Sequence, residues 1–148
     1  LVNEAHTLGK PVACHAIGGQ GLRAAIEAGS DSIEHGCLMG LDPDLFKIMA
    51  DNGSYLVPTF TVFTFHSAQG NPHAQAEANA FRQQHIETVQ TALSEGVRVV
   101  AGTDSGGWEH GNNAKEVELL VAARMSPMQS IVAATSWAVG CLGIDKSI

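Results

Sequence analysis

The chain has 148 residues, with eight Lys and Arg against fifteen Asp and Glu and a formal net charge of −7. Apolar residues make up 45% and charged ones 16%, enough for a packed core, which excludes a disordered chain. The acidic balance argues against nucleic acid and an anionic membrane surface as partners, since both need clustered Lys and Arg, and no apolar run approaches the ~20 residues of a membrane span.

In chain order, residues 1–8 read as the tail of a helix closed by Gly9, and residues 10–16 (KPVACHA) as a short buried strand. Residues 22–28 are helical, with Leu22, Ala25 and Ile26 on one face and Gly29 as the stop. Residues 31–35 (DSIEH) form a second strand. Asp42-Pro43 starts a helix, with Asp as the cap and Pro at the first helical position; Leu45, Ile48 and Met49 are its stripe. Residues 55–59 (YLVPT) are a third strand. Residues 60–80 show no period and are expected to be a long loop, after which residues 81–95 are helical through Ile86, Val89 and Leu93. Residues 97–103 (VRVVAGT) are a fourth, β-branched strand. Asn113 with Glu116 caps a helix carrying Val117, Leu120 and Val121. Ser126-Pro127 with Gln129 is a capping box opening a helix that runs through Ile131, Thr135 and Val139 to Leu142. Strand and helix alternate four times, which predicts an α/β architecture of parallel strands with helical crossovers.

The chemically capable residues fall at strand ends. His15 closes the first strand, His35 the second, and Asp104 follows the fourth, each ahead of glycines that allow sharp turns and close ligand approach. Strand alternation puts Ala13 with His15, Ile33 with His35, and Gly102 with Asp104, and points Glu34 the other way. Two imidazoles and a carboxylate on one rim suit a divalent metal, zinc first, with a 2-His-1-carboxylate iron site as a further option. The plain alternative for each histidine is a hydrogen-bonded structural role. Cys14, Cys37 and Cys141 form no C-x-x-C pair and read as free thiols in a reducing compartment, so a cytoplasmic location is expected.

The runs CHAIGGQGLRAAIEAGSDSIEHG, YLVPT, VRVVAGTDSG and HGNNAKEVELLVAARMSPMQSIVAATSWAVGCLGI resemble the amidohydrolase superfamily. The branch they look most like holds imidazolonepropionase-like enzymes and Xaa-Pro or Xaa-Arg dipeptidases. The resemblance implies the carboxyl-terminal half of a (β/α)8 barrel, strands five to eight, so that residues 1–148 are one partial domain of a fold that takes roughly 250 residues when complete. It implies His15 and His35 as metal ligands, Asp104 as a metal ligand and proton-handling residue, and hydrolysis of a C–N bond in a small amide, cyclic amide or peptide. The family's H-x-H pair and bridging Lys or Glu have no counterpart here and are expected ahead of Leu1. The chain would then need its missing amino-terminal half, or a second copy of itself, to cover an open inner face. A non-catalytic half-barrel without turnover is the alternative.

Several neighbouring residues have two readings. His110 orients substrate or holds the loop at 106–111, and Ser105 bonds a ligand or turns the chain. Glu34 is expected to be an ion-pair partner, with Arg23 the candidate. Phe60, Phe63 and Phe65 are expected to form a core patch ahead of a lid. Cys14 is expected to face the helices. His66, His73 and His85 sit in polar sequence and are expected in solvent, and His6 has no metal role.

Overall fold

Four short strands gather the apolar runs into one sheet: β1 (Ala13–Ala16), β2 (Ser32–His35), β3 (Tyr55–Val57) and β4 (Arg98–Val99). They pair in sequence order and all run parallel. A computed structural model describes residues 1–68, 72–106 and 110–144, apart from the side chains of residues 73 and 74. Helix α1 (Val2–Thr7) precedes the sheet; α2 (Gly19–Glu27), α3 (Asp44–Asn52), α4 (Phe60–Ser67) and α5 (Pro72–Ser94) lie in the crossovers. Helices α6 (Lys115–Ala122), α7 (Pro127–Ala133) and α8 (Ser136–Cys141) follow β4. This is the parallel (β/α) architecture that the alternating pattern predicts. No helix among the described residues is long and apolar enough to cross a membrane.

The sheet has two apolar faces. Ala16, Ile33, Leu56 and Val99 pack outward on Leu22, Ile26, Phe46, Met49, Val89 and Leu120 of the helices, with Cys14 at the edge of the same cluster as expected. Tyr55, Val57 and Val100 face inward and meet Trp137, Ala138 and Cys141 of α8. The inner face beside them is a cleft of about 310 Å³ whose lining includes Val12, Ala13, Glu34, Val57 and Leu142.

Four predicted elements differ from the structure, each for a tertiary reason. The expected loop at 60–80 contains α4 and the start of α5, with residues 69–71 outside the described residues. Helix α4 has no amphipathic period because it is covered by both α5 and α6, so Phe60 and Val62 are buried and Phe63 and Phe65 half-buried. The helix expected from Asp42 begins at Asp44, because the Asp42 carboxylate is taken by Arg23 instead of capping. Neither Asn113 nor Glu116 caps α6: Asn113 Oδ1 accepts from the Ser105 hydroxyl at 2.9 Å, and Glu116 points into the core. The single helix expected from Ser126 to Leu142 breaks at Ala134–Thr135, where Ala133 O accepts from Ala101 N at 3.1 Å and α8 turns across the inner face. The predicted capping box stands, with Ser126 Oγ accepting from Gln129 N and Gln129 Oε1 accepting from Ser126 N. Ser126→Ala is expected to lower stability by about 1 kcal/mol, read as a lower urea midpoint at unchanged slope.

Candidate functional site

Parallel strands present their carboxyl ends along one rim, and there a cleft of about 270 Å³ is lined by His15, Glu34, His35, Val57, Thr59, Gly102 and Asp104. His15 faces inward by ordinary alternation and stands opposite Glu34 in the strand register. The sequence predicts that His35 shares a face with Ile33 and that this face is the His15 side, but Ile33 packs on the helix side. The structure corrects this: His35 has a left-handed backbone (φ 73°), which turns its ring back to the rim while Ile33 stays in the outer core. Thr59 (φ 56°) and Asp104 (φ 52°) share this conformation past the ends of β3 and β4. Such backbone costs of order 1–3 kcal/mol per non-glycine residue and gathers where a site requires it.

The rings of His15 and His35 meet edge-on, with centroids 4.5 Å apart and His15 Nδ1 2.8 Å from His35 Nε2. His35 Nδ1 lies 2.7 Å from Thr59 Oγ1, whose own proton goes to Pro58 O at 2.7 Å. A hydroxyl has one proton to give, so Thr59 accepts from His35 Nδ1–H. His35 therefore carries its proton on Nδ1 and turns the Nε2 lone pair toward His15 and the cleft. Burial holds the His35 imidazolium below its ordinary pKa, helped by His15 and opposed by Asp104, so the neutral ring is favoured.

Glu34 is not a partner of Arg23. Arg23 donates to Asp42 (2.9 Å from Nε), Glu27 (2.8 Å) and Asp44 (3.1 Å) on the outer side. Glu34 instead lines the cleft and accepts from the Ser32 hydroxyl at 2.6 Å. Burial raises its pKa; Ser32 pulls it down, Asp104 pushes it up and His15 pulls it down. The inward turn of Glu34 follows from the same alternation that places His15, because the two are paired across β1 and β2.

Of the other candidates, Asp104 lines the cleft and is exposed. Ser105 is outside it, hydrogen-bonded to Thr103 and Asn113 at 2.9 Å each, which ties the turn together. His110 is exposed in a turn; Gly107, Trp108 and Glu109 beside it lie outside the described residues. His6 pairs with Asp31 at 2.8 Å near the start of the sheet. His66 is exposed, and the side chain of His73 lies outside the described residues. Cys37 is buried, its thiol pushed up to about 12 by burial, and is inert as a nucleophile. Among the described residues no three His, Cys, Asp or Glu side chains stand together at metal-holding spacing. The donor chemistry nevertheless fits a divalent metal: burial favours the neutral His35 ring, its Nε2 faces the cleft, and its Nδ1 is held by Thr59.

Two buried polar side chains near the site have no signal in the sequence. His85, expected in solvent, is fully buried against Phe60, Phe63 and Phe81, with ring centroids 4.3, 5.3 and 6.2 Å away. Phe63 also packs edge-on against His35 at 5.7 Å, so the phenylalanines are a core patch behind the site. Glu116 is 1% exposed and reaches the start of α4, from more than fifty residues away.

The profile of the Amidohydrolase family matches residues 1–148. A solved Xaa-Pro dipeptidase with bound methionine is 36% identical and superposes with a TM-score of 0.84, over 98% of this chain and 37% of its own. The ochratoxinase of Aspergillus niger is 30% identical over 141 residues, 92% of this chain and 28% of the relative. Its crystal structure superposes with a TM-score of 0.83 over 95% of this chain and 32% of its own. An uncharacterized protein of Mycobacterium bovis is 34% identical over 139 residues, 90% of this chain and 37% of the relative. The chain thus spans between 28% and 37% of the length of these relatives. A profile that runs over the whole described sheet and its helices, joined to these likenesses, shows that the chain belongs to the amidohydrolase family.

Proposed function

We propose that this rim is one part of the active site of a metal-dependent hydrolase acting on amide bonds. The observation that carries the reading is the paired imidazoles, His15 Nδ1 to His35 Nε2 at 2.8 Å, with the second nitrogen of His35 fixed by Thr59, in a chain of this family. His15 and His35 would hold the ion, zinc being the first candidate for two imidazoles. When bound, such a metal supplies Lewis acidity toward a carbonyl and acidifies water. Asp104, across the same cleft, accepts a proton from the attacking water and returns it to the leaving nitrogen. Glu34, which lines the same cleft, would offer a further oxygen donor to a cation held there. The substrate is a small amide or peptide, in keeping with the dipeptidase and ochratoxinase that the chain resembles. Ser105 and His110, on the loop after Asp104, border the place where such a substrate would lie. The inner face and the edges at β1 and β4 are completed by further (β/α) units, on the same protein or a second copy.

Titration with zinc ions by calorimetry tests the ligand assignment. The protein is expected to bind zinc, and His15→Ala or His35→Ala to weaken binding by about 100-fold or more, at or beyond the upper end of what loss of an outer-shell partner costs. Equal zinc affinity in the parent and both variants would remove the assignment and leave a non-catalytic half-barrel as the better reading.

A further inference from the structure

A helix leaves its first backbone N–H groups without acceptors, and a Thr at the residue before it ordinarily accepts from one of them. Thr59 occupies that place ahead of α4 but makes no side-chain cap bond. Its hydroxyl is committed elsewhere, to Pro58 O and to His35 Nδ1, each at 2.7 Å. The N–H groups of Phe60 and Thr61 are served from α6: Glu116 Oε1 accepts from Phe60 N and Oε2 from Thr61 N, both at 2.8 Å, and the Thr61 hydroxyl donates to Oε2 as well. Glu116 is 1% exposed. A buried carboxylate is a poor space-filler, since it is stable there only while donors surround it. It meets those donors in the two residues that follow the left-handed turn at Thr59 (φ 56°, ψ 43°).

We propose that Glu116 is a positioning residue of the site: by capping α4 from outside, it frees the Thr59 hydroxyl to hold His35 in the Nδ1–H form, with the Nε2 lone pair on the cleft. The inference rests on the proposed ligand role of His35 for its functional meaning, but its structural readout needs no metal. Without the Glu116 carboxylate, the Phe60 and Thr61 N–H groups lose their acceptors, and the Thr59 hydroxyl, on the residue ahead of the helix, is drawn toward the Thr61 N–H. Once it turns, His35 Nδ1 loses its acceptor, and the proton redistributes between the two ring nitrogens.

The test is the ring 15N spectrum of His35 in the metal-free protein at about pH 8, above the ordinary histidine range. In the parent, Nε2 is expected to resonate as an unprotonated nitrogen. In Glu116→Gln, whose amide group places a donor against the Thr61 or Phe60 donors, it is expected to move toward the protonated position. Thr59→Val is expected to produce the same displacement, and Glu116→Gln added to it no further change, because both act through one bond. Zinc affinity is expected to fall about 10-fold in either single variant, the low end for an outer-shell partner. If Glu116→Gln does not fold, Glu116→Asp, which keeps the charge and withdraws the oxygens, supplies the comparison. A helix cap with no link to the site would lower thermal stability and leave the His35 nitrogens where they are, and that result overturns the proposal. A displaced tautomer with unchanged zinc affinity keeps the positioning role and counts instead against His35 as a ligand.

Discussion

His85→Leu is expected to lose about 3 kcal/mol less stability than the parent as pH falls from 6.5 toward 4, the share that this one group contributes. The ring of His85 is fully buried among phenylalanines, and neither nitrogen has a hydrogen-bond partner among the described residues. The carbonyls of His35 and Pro58 lie close enough to favour the charged ring but outside hydrogen-bond geometry, so burial dominates and the pKa falls from 6.5 to about 4. Below 6.5 the unfolded chain takes up a proton that the folded chain refuses. Stability therefore falls with pH until about 4, where both states are protonated and the slope from this group ends. Leu fills nearly the same space without a titrating group. Urea midpoints measured across this range should diverge between parent and variant, with the variant the flatter curve. Parallel curves would mean that the ring finds a proton acceptor or water when the core opens locally.

Gly36→Ala is expected to lower stability by about 2–4 kcal/mol, by two additive routes. Gly36 has φ 58°, a conformation that any side chain disfavours, and an added Cβ would stand 2.7 Å from Leu56 Cδ1. Leu56 is wholly buried in the outer core, so it has little room to withdraw. The same glycine follows His35, and its N–H donates to Ala16 O at 2.9 Å. A shift of this backbone moves the His35 ring relative to His15 and Thr59. Chemical denaturation measures the first effect, and zinc affinity measured well below the melting range measures the second. Stability within a few tenths of a kcal/mol of the parent would show that Leu56 repacks freely and that the left-handed turn is not under strain here.

How far the site can be read in the sequence differs residue by residue. His15 and Asp104 are legible because strand alternation and turn glycines are local properties, and both lie at the ends of runs whose period is plain. His35 is legible as a strand-end residue but not in its direction, since one left-handed dihedral carries its ring to the rim against the alternation. Glu34 is illegible for the same reason: alternation sets it opposite His35, whose face is expected to be that of His15, whereas the register pairs Glu34 itself with His15. His85 has polar neighbours in sequence and aromatic neighbours in space, three of them from α4 and α5.

Taken by itself, the order of residues determined the alternation of strands and helices, the parallel sheet, the capping box at Ser126 and the family, because each depends on spacing within a few residues or on motifs kept whole in the chain. Tertiary structure alone decided that residues 60–67 are a helix, that the chain turns at Ala134–Thr135 to send α8 across the inner face, that Thr59 serves His35 and that Glu116 caps α4. Those outcomes depend on which polar group finds which partner once the core has formed. The partners come from segments tens of residues apart, where no local periodicity can announce them.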